Sequence, residues 1–109
     1  MQFQSFPALY LYPLNDSFTP KQISLAGGQR VTIGRQTNQR TAPSEHNGFF
    51  NTKVLSRRHA EIWEDAGRMY IKDTMSSNGT FINGTRLSEE GIESEPHELK
   101  TDDIVVRNI

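Results

Sequence analysis

Every apolar-bearing run in this chain is short and ends at a turn signal, and no stretch sustains the i, i+3, i+4 spacing of a capped amphipathic helix. The clearest case is Asn83-Gly84, set between Thr80-Phe81-Ile82 and Thr85-Arg86-Leu87. A two-residue type I′ hairpin needs positive φ at both central positions, and Asn-Gly meets that need best. Asp65-Ala66-Gly67 gives a second hairpin signal, between His59–Glu64 and Met69–Lys72. Further strand-like runs are Ala8–Tyr12, Gln22–Leu25, Arg30–Ile33 and Ile104–Val106, and in His59–Glu64 the apolar positions are Ala60, Ile62 and Trp63. Ser88-Glu89-Glu90-Gly91 allows one helical turn at most. Short strands with Gly-rich turns predict an all-β, antiparallel β-sandwich or barrel.

The 109 residues suit a single domain, residues 1–109. Apolar residues make up 34%, lean but above the disordered range, and three Tyr, six Phe and one Trp supply much of the buriable surface. The chain has no Cys. That excludes a disulfide scaffold, thiolate metal sites and a Cys nucleophile, and it fits a reducing, cytoplasmic setting. His46, His59 and His97 are scattered without metal-ligand spacing, so no metal and no cofactor are expected. No apolar run is long enough to span a membrane, and the first residues lack a basic region ahead of an apolar stretch, so no signal peptide is expected.

Net charge is −1, unevenly spread. Residues 1–60 hold seven Lys/Arg against Asp16 and Glu45, whereas residues 61–109 hold five against eleven acids. Two halves that attract each other within a sandwich account for this, as does an anion-seeking surface in the first half. The overall balance argues against a nucleic-acid partner.

Two connections stand out. Arg35 to Lys53 is rich in Thr, Asn, Gln, Pro and Ser, and structureless loops of that length are often functional. Asp73–Gly79 is crowded with hydroxyl and amide side chains. Both begin at a strand exit, so they can lie together at one end of a sandwich, where binding sites are built. In or beside them fall Gly34-Arg35, Ser56-Arg57-Arg58-His59 and Ser77-Asn78-Gly79-Thr80. These supply guanidinium, hydroxyl, amide and imidazole groups with no carboxylate among them, which suits a dianionic ligand. Arg matches phosphate oxygens with a planar fork, and an Asn amide pairs with peptide backbone. Taken singly, each motif has a plain structural explanation: a strand-ending Gly, a solvated Arg, a turn. Ser56 sits in no Gly-x-Ser-x-Gly elbow, no acid is placed to orient His59, and an enzyme of Ser–His type is not expected.

In order and together, the motifs resemble the forkhead-associated (FHA) domain: Gly34-Arg35, then Ser56-Arg57-Arg58-His59, then Asn78-Gly79, then Asn83-Gly84. The run from Asp73 to Gly84 resembles that family's most characteristic stretch almost in full, and the resemblance covers residues 9 to 106. The segment Asn47–Ser56 is similar to FHA domains of the sarcolemmal membrane-associated protein group and its fungal relatives, adaptors in the striatin-interacting phosphatase and kinase complex. The resemblance implies an FHA/SMAD-like β-sandwich that binds threonine-phosphorylated peptides and performs no chemistry. It implies phosphate contacts from Arg35, Ser56 and Arg57. Asn78 would hold the peptide main chain, and Ser77 and Asn78 would line a pocket for the threonine methyl. Gly34, His59 and Gly79 would be structural. It also implies a signalling adaptor that recruits phosphorylated partners, with phosphatase and kinase subunits reached through the full-length protein. That protein would sit in the cytoplasm or at the cytosolic face of endomembranes, with no direct membrane contact from this segment. The alternative is a sandwich that binds proteins independently of phosphate. The family pattern continues beyond Val106-Arg107-Asn108-Ile109 into strands that pair with the first, so the sandwich is expected to lack its last strand or strands, as a truncated domain would.

Overall fold

The computed structural model describes residues 7–14 and 17–107; the amino-terminal residues, on which the expectation of no signal peptide rests, lie outside that range. Ten strands follow one another: β1 (Ala8–Leu11), β2 (Lys21–Ser24), β3 (Val31–Arg35), β4 (Phe49–Phe50), β5 (Ala60–Asp65), β6 (Arg68–Asp73), β7 (Thr80–Ile82), β8 (Thr85–Arg86), β9 (His97–Leu99) and β10 (Val105–Arg107). Among the described residues there is no α-helix, only short 3-10 turns at Ala26–Gly28 and Gln39–Thr41. Ser88–Gly91 forms a turn rather than a helix.

The strands make a five-stranded sheet in the order β4-β3-β5-β6-β9, a three-stranded sheet β10-β7-β8, and the pair β1-β2. Both hairpin signals act as their chemistry requires. Asn83 and Gly84 take φ of 51° and 88°, and Ala66 and Gly67 take 51° and 81°. Between the sheets Leu9, Ile23, Leu25, Ala60, Ile62, Ile71 and Ile82 form the buried cluster, with Leu11, Val31, Ile33, Met69, Leu87 and Leu99 packed around it.

One feature departs from the antiparallel expectation, and a second was not read from the sequence. One pair is parallel: Gly34 sits opposite Phe49 and Arg35 opposite Phe50. The long connection 36–48 carries the chain back to the start of its own direction, so β4 joins β3 side by side. Trp63 is only 8% exposed yet stands apart from the core cluster. Strand alternation turns it to the face opposite Ile62. There the Arg30 guanidinium lies 4.0 Å from its ring centroid and Tyr70 stacks at 5.9 Å.

Candidate functional site

Four chain segments meet at one end of the five-stranded sheet: the exit of β3, the entry to β5, the exit of β6 and the entry to β7. The β5 entry is laced to the β3 exit by backbone bonds from His59 N to Ile33 O (2.9 Å) and from Arg35 N to Ser56 O (3.1 Å). Gly34 is needed for this approach, because a Cβ there would stand 1.9 Å from the Arg57 carbonyl oxygen. On its other side, β3 is held by β4, with Gln36 N donating to Phe50 O at 2.9 Å. Arg35 is therefore fixed at its backbone from both sides while its side chain is half-buried. The ion pairs among the described residues are Arg68–Glu98, Lys72–Glu61 and Lys72–Glu93, so no acid pairs with Arg35, Arg57 or Arg58.

Ser56 is at the centre of the convergence. Its backbone N–H donates to His59 Nδ1 (3.1 Å), and its Oγ accepts from Ser77 N–H (3.1 Å). A hydroxyl has one donor and two acceptor positions. With one lone pair engaged by Ser77, the Ser56 O–H has no acceptor among the described residues.

His59, 3% exposed, joins the two loops. Since Nδ1 accepts from Ser56, the ring proton sits on Nε2, which donates to the Gly79 carbonyl at 2.8 Å. Both ring nitrogens are committed. Asn78 is exposed and its Nδ2 donates to Val54 O at 2.8 Å, which ties the β6–β7 loop to the β5 entry and leaves Oδ1 with no donor among the described residues. Gly79 has φ of +90°, and a Cβ there would crowd Phe81 and the Arg86 guanidinium at 2.9 Å.

The structure thus places Arg35, Ser56, Arg57, Ser77 and Asn78 at one end, with Gly34, His59 and Gly79 beneath them. Three supporting residues escaped the sequence reading. Asp73, 1% exposed, accepts from Ser76 N–H and Thr80 Oγ1 (both 2.8 Å) and from the Ser76 hydroxyl. Ser76 Oγ in turn accepts from Gly79 N–H at 3.1 Å. A single carboxylate among hydroxyls was the available signal. Asp73 is the one acid in this loop, and it is turned inward, so it adds no accessible carboxylate to the site. Lys21, 5% exposed, donates to Ser44 O (2.6 Å) and Phe49 O (3.0 Å), with its ammonium 4.7 Å from the Phe50 ring centroid. Burial lowers its pKa from the usual lysine value. Through Phe49 and Phe50 it holds β4 against β3 and so steadies the strand that carries Arg35. No group of His, Asp and Glu residues among those described could hold a metal ion, and no helix there is long and apolar enough to cross a membrane.

Comparison with known proteins gives the same outline. An FHA domain family model matches residues 31–106. An uncharacterized protein of Schizosaccharomyces pombe is 52% identical over 97 residues, 87% of this chain and 32% of that protein. The human sarcolemmal membrane-associated protein is 48% identical over 77 residues, 69% of this chain and 9% of that protein. The chain therefore spans a third or less of these relatives. A solved structure from work on phosphothreonine-dependent FHA domain interactions superposes with a TM-score of 0.63 at 20% identity, covering 94% of this chain and 88% of the other. Likeness at that level speaks for the fold: a β-sandwich of this type.

Proposed function

We propose, from the premise that this chain belongs to the FHA domain family, that it binds phosphothreonine peptides at the loop end just described. The observation that supports the reading is the grouping of Arg35, which has no acid paired to it among the described residues, with the Ser56 hydroxyl, which accepts from Ser77 N–H, and with Asn78, in motifs that carry no carboxylate. A phosphate brings about −1.5 to −2 charges and three acceptor oxygens. Arg35 supplies a bidentate fork, Ser56 a short O–H donor, and Arg57 a further donor. Asn78, held by Val54, offers its amide to the peptide main chain, and Ser77 with Asn78 borders the threonine methyl. Charge-assisted bonds net about 1.5–3 kcal/mol each; three or four, less the cost of ordering the peptide, leave about 7–9 kcal/mol, a Kd near micromolar.

His59 supports a binding module over a hydrolase. Its Nδ1 faces the Ser56 backbone and its Nε2 faces a carbonyl, so neither nitrogen is placed to take the Ser56 hydroxyl proton. Kinship with the sarcolemmal membrane-associated protein extends the proposal to an adaptor's role in the cytoplasm. There it would recruit threonine-phosphorylated partners to a phosphatase and kinase assembly beside a membrane.

The test is calorimetric titration with one phosphothreonine peptide and its unphosphorylated copy. Only the phosphorylated form should bind, and Arg35→Ala should weaken it by about 2–4 kcal/mol, at least about thirtyfold, with the melting temperature unchanged. Equal binding of both peptides would instead make this a phosphate-independent interaction domain.

A further inference from the structure

The order of the strands sorts charge across the binding end. From one edge to the other come loop 36–48 with β4, then Arg35 on β3, then the β5 entry 53–59, then the β6 exit. Last comes the segment 89–93, tied to the β6 exit by Gly91 N–H to Ser76 O (3.2 Å) and by the Thr74–Glu93 bridge. Arg40 on the first side and Lys53, Arg57 and Arg58 at the β5 entry are exposed. None of them forms an ion pair among the described residues. The one acid between Val31 and Arg58 is Glu45, whose backbone is drawn to β2 by Gln22 N–H. On the far side Glu89, Glu90 and Glu93 are exposed, and Glu93 answers Lys72.

Unneutralised cations near one anchor point do not merely raise the potential of the phosphate site. They make the two flanks of a bound peptide unequal. We infer that the ligand carries further negative charge, from acidic residues or a second phosphate, on one side of its phosphothreonine and not on the other. This rests on the phosphothreonine reading and adds a charge direction to it. An extended peptide passes over the cationic loops with one flank and over Glu89 and Glu90 with the other. Aspartates in the first flank are attracted and in the second repelled.

The experiment uses a phosphothreonine peptide with alanine flanks, two versions with a run of aspartates before or after the phosphothreonine, and unphosphorylated copies of all three. At low ionic strength one aspartate version should bind about tenfold tighter than the neutral peptide and the other no tighter. The gain should shrink to about twofold near 0.5 M salt. The double variant Arg40→Glu, Lys53→Glu should erase the gain, while the neutral-flank phosphopeptide, weakened less than the favoured aspartate version, still binds better than its unphosphorylated copy; Arg40→Ala, Lys53→Ala serves if the first variant melts early. Replacing the aspartates with a second phosphothreonine separates the sources: a larger gain assigns a doubly phosphorylated ligand, an equal one an acidic sequence. Equal affinity of both aspartate peptides, or a gain that survives the double variant, overturns the inference. If the neutral phosphopeptide binds no better than its unphosphorylated copy, the phosphothreonine reading itself has failed, and that outcome is distinct.

Discussion

The loops beside Ser56 and Asn78 and the loop 36–48 meet the same strand end, but they are held by opposite means. The first pair is fastened from below by buried groups: His59 spans Ser56 and Gly79, and Asp73 gathers Ser76 and Thr80. The long loop is fastened mostly by itself. Asn38 Oδ1 accepts from Arg40 N–H at 2.8 Å, Thr41 Oγ1 accepts from Thr37 and Asn38, and Asn47 accepts from Ser44 and Phe49. Among the described residues, Lys21, the backbone of Gln22 and the Gly34 N–H, which donates to Gly48 O at 3.0 Å, reach it from the body of the domain. Buried polar ties are costly to cut, because the surviving partners lose both water and their bond, whereas exposed ties are replaced by water. The difference predicts that the first region fails together with the fold and the second does not.

The largest effect should follow Asp73→Ala. It strands the Ser76 amide and the Ser76 and Thr80 hydroxyls, at about 1–3 kcal/mol for each unmet group. Against a total of about 5–15 kcal/mol, that approaches unfolding. A urea melt should show a midpoint far below wild type, and phosphopeptide affinity should fall with it. A small shift in midpoint would mean that this loop is not held from below.

His59→Ala comes next. It removes both the acceptor for Ser56 N–H and the donor to the Gly79 carbonyl, for about 2–4 kcal/mol. Melting temperature and affinity should fall together. Lost affinity with unchanged stability would make His59 a direct ligand contact rather than a brace, and the two loops would need another tie.

The same contrast explains what could be read from the chain. Asn83-Gly84 and Asp65-Ala66-Gly67 specify turns through their own φ preferences, so both hairpins were legible. Gly34-Arg35, Ser56–His59 and Ser77–Thr80 were legible as strand-end motifs, and their meeting followed from adjacent strands. β4 was not legible, since two residues carry no alternation, and Phe49–Phe50 becomes a strand only where Lys21 and β3 receive its carbonyls. β9 reads His97-Glu98-Leu99, with a single strongly apolar residue, and owes its existence to β6. Trp63 was legible only as an apolar position of its run. Its cover is the Arg30 cation at the entry to β3, which no local pattern announces. Asp73 read as one acid in a polar turn, because burial by distant strands is a tertiary fact.

The smallest effect, and the finest probe of the self-held loop, is Lys21→Met. The variant leaves the Ser44 and Phe49 carbonyls without their donor but also removes a charge that burial disfavours. These oppose each other, so stability near pH 7 should move by no more than about 1 kcal/mol and anchor-site affinity by no more than about threefold. The pH dependence separates the two contributions. Burial sets the folded pKa below the ordinary lysine value of 10.5, so between those two values the unfolded chain binds more protons at Lys21 than the folded one. Stability therefore rises with pH through that window: the cost of the buried charge is full below the folded pKa and is gone above 10.5. Urea midpoints for wild type and variant, taken from neutral pH up toward that value, should show wild type gaining on Lys21→Met. If wild type loses ground instead, the two carbonyls and the Phe50 face favour the ammonium more than burial opposes it, and the long loop is held by a charge after all.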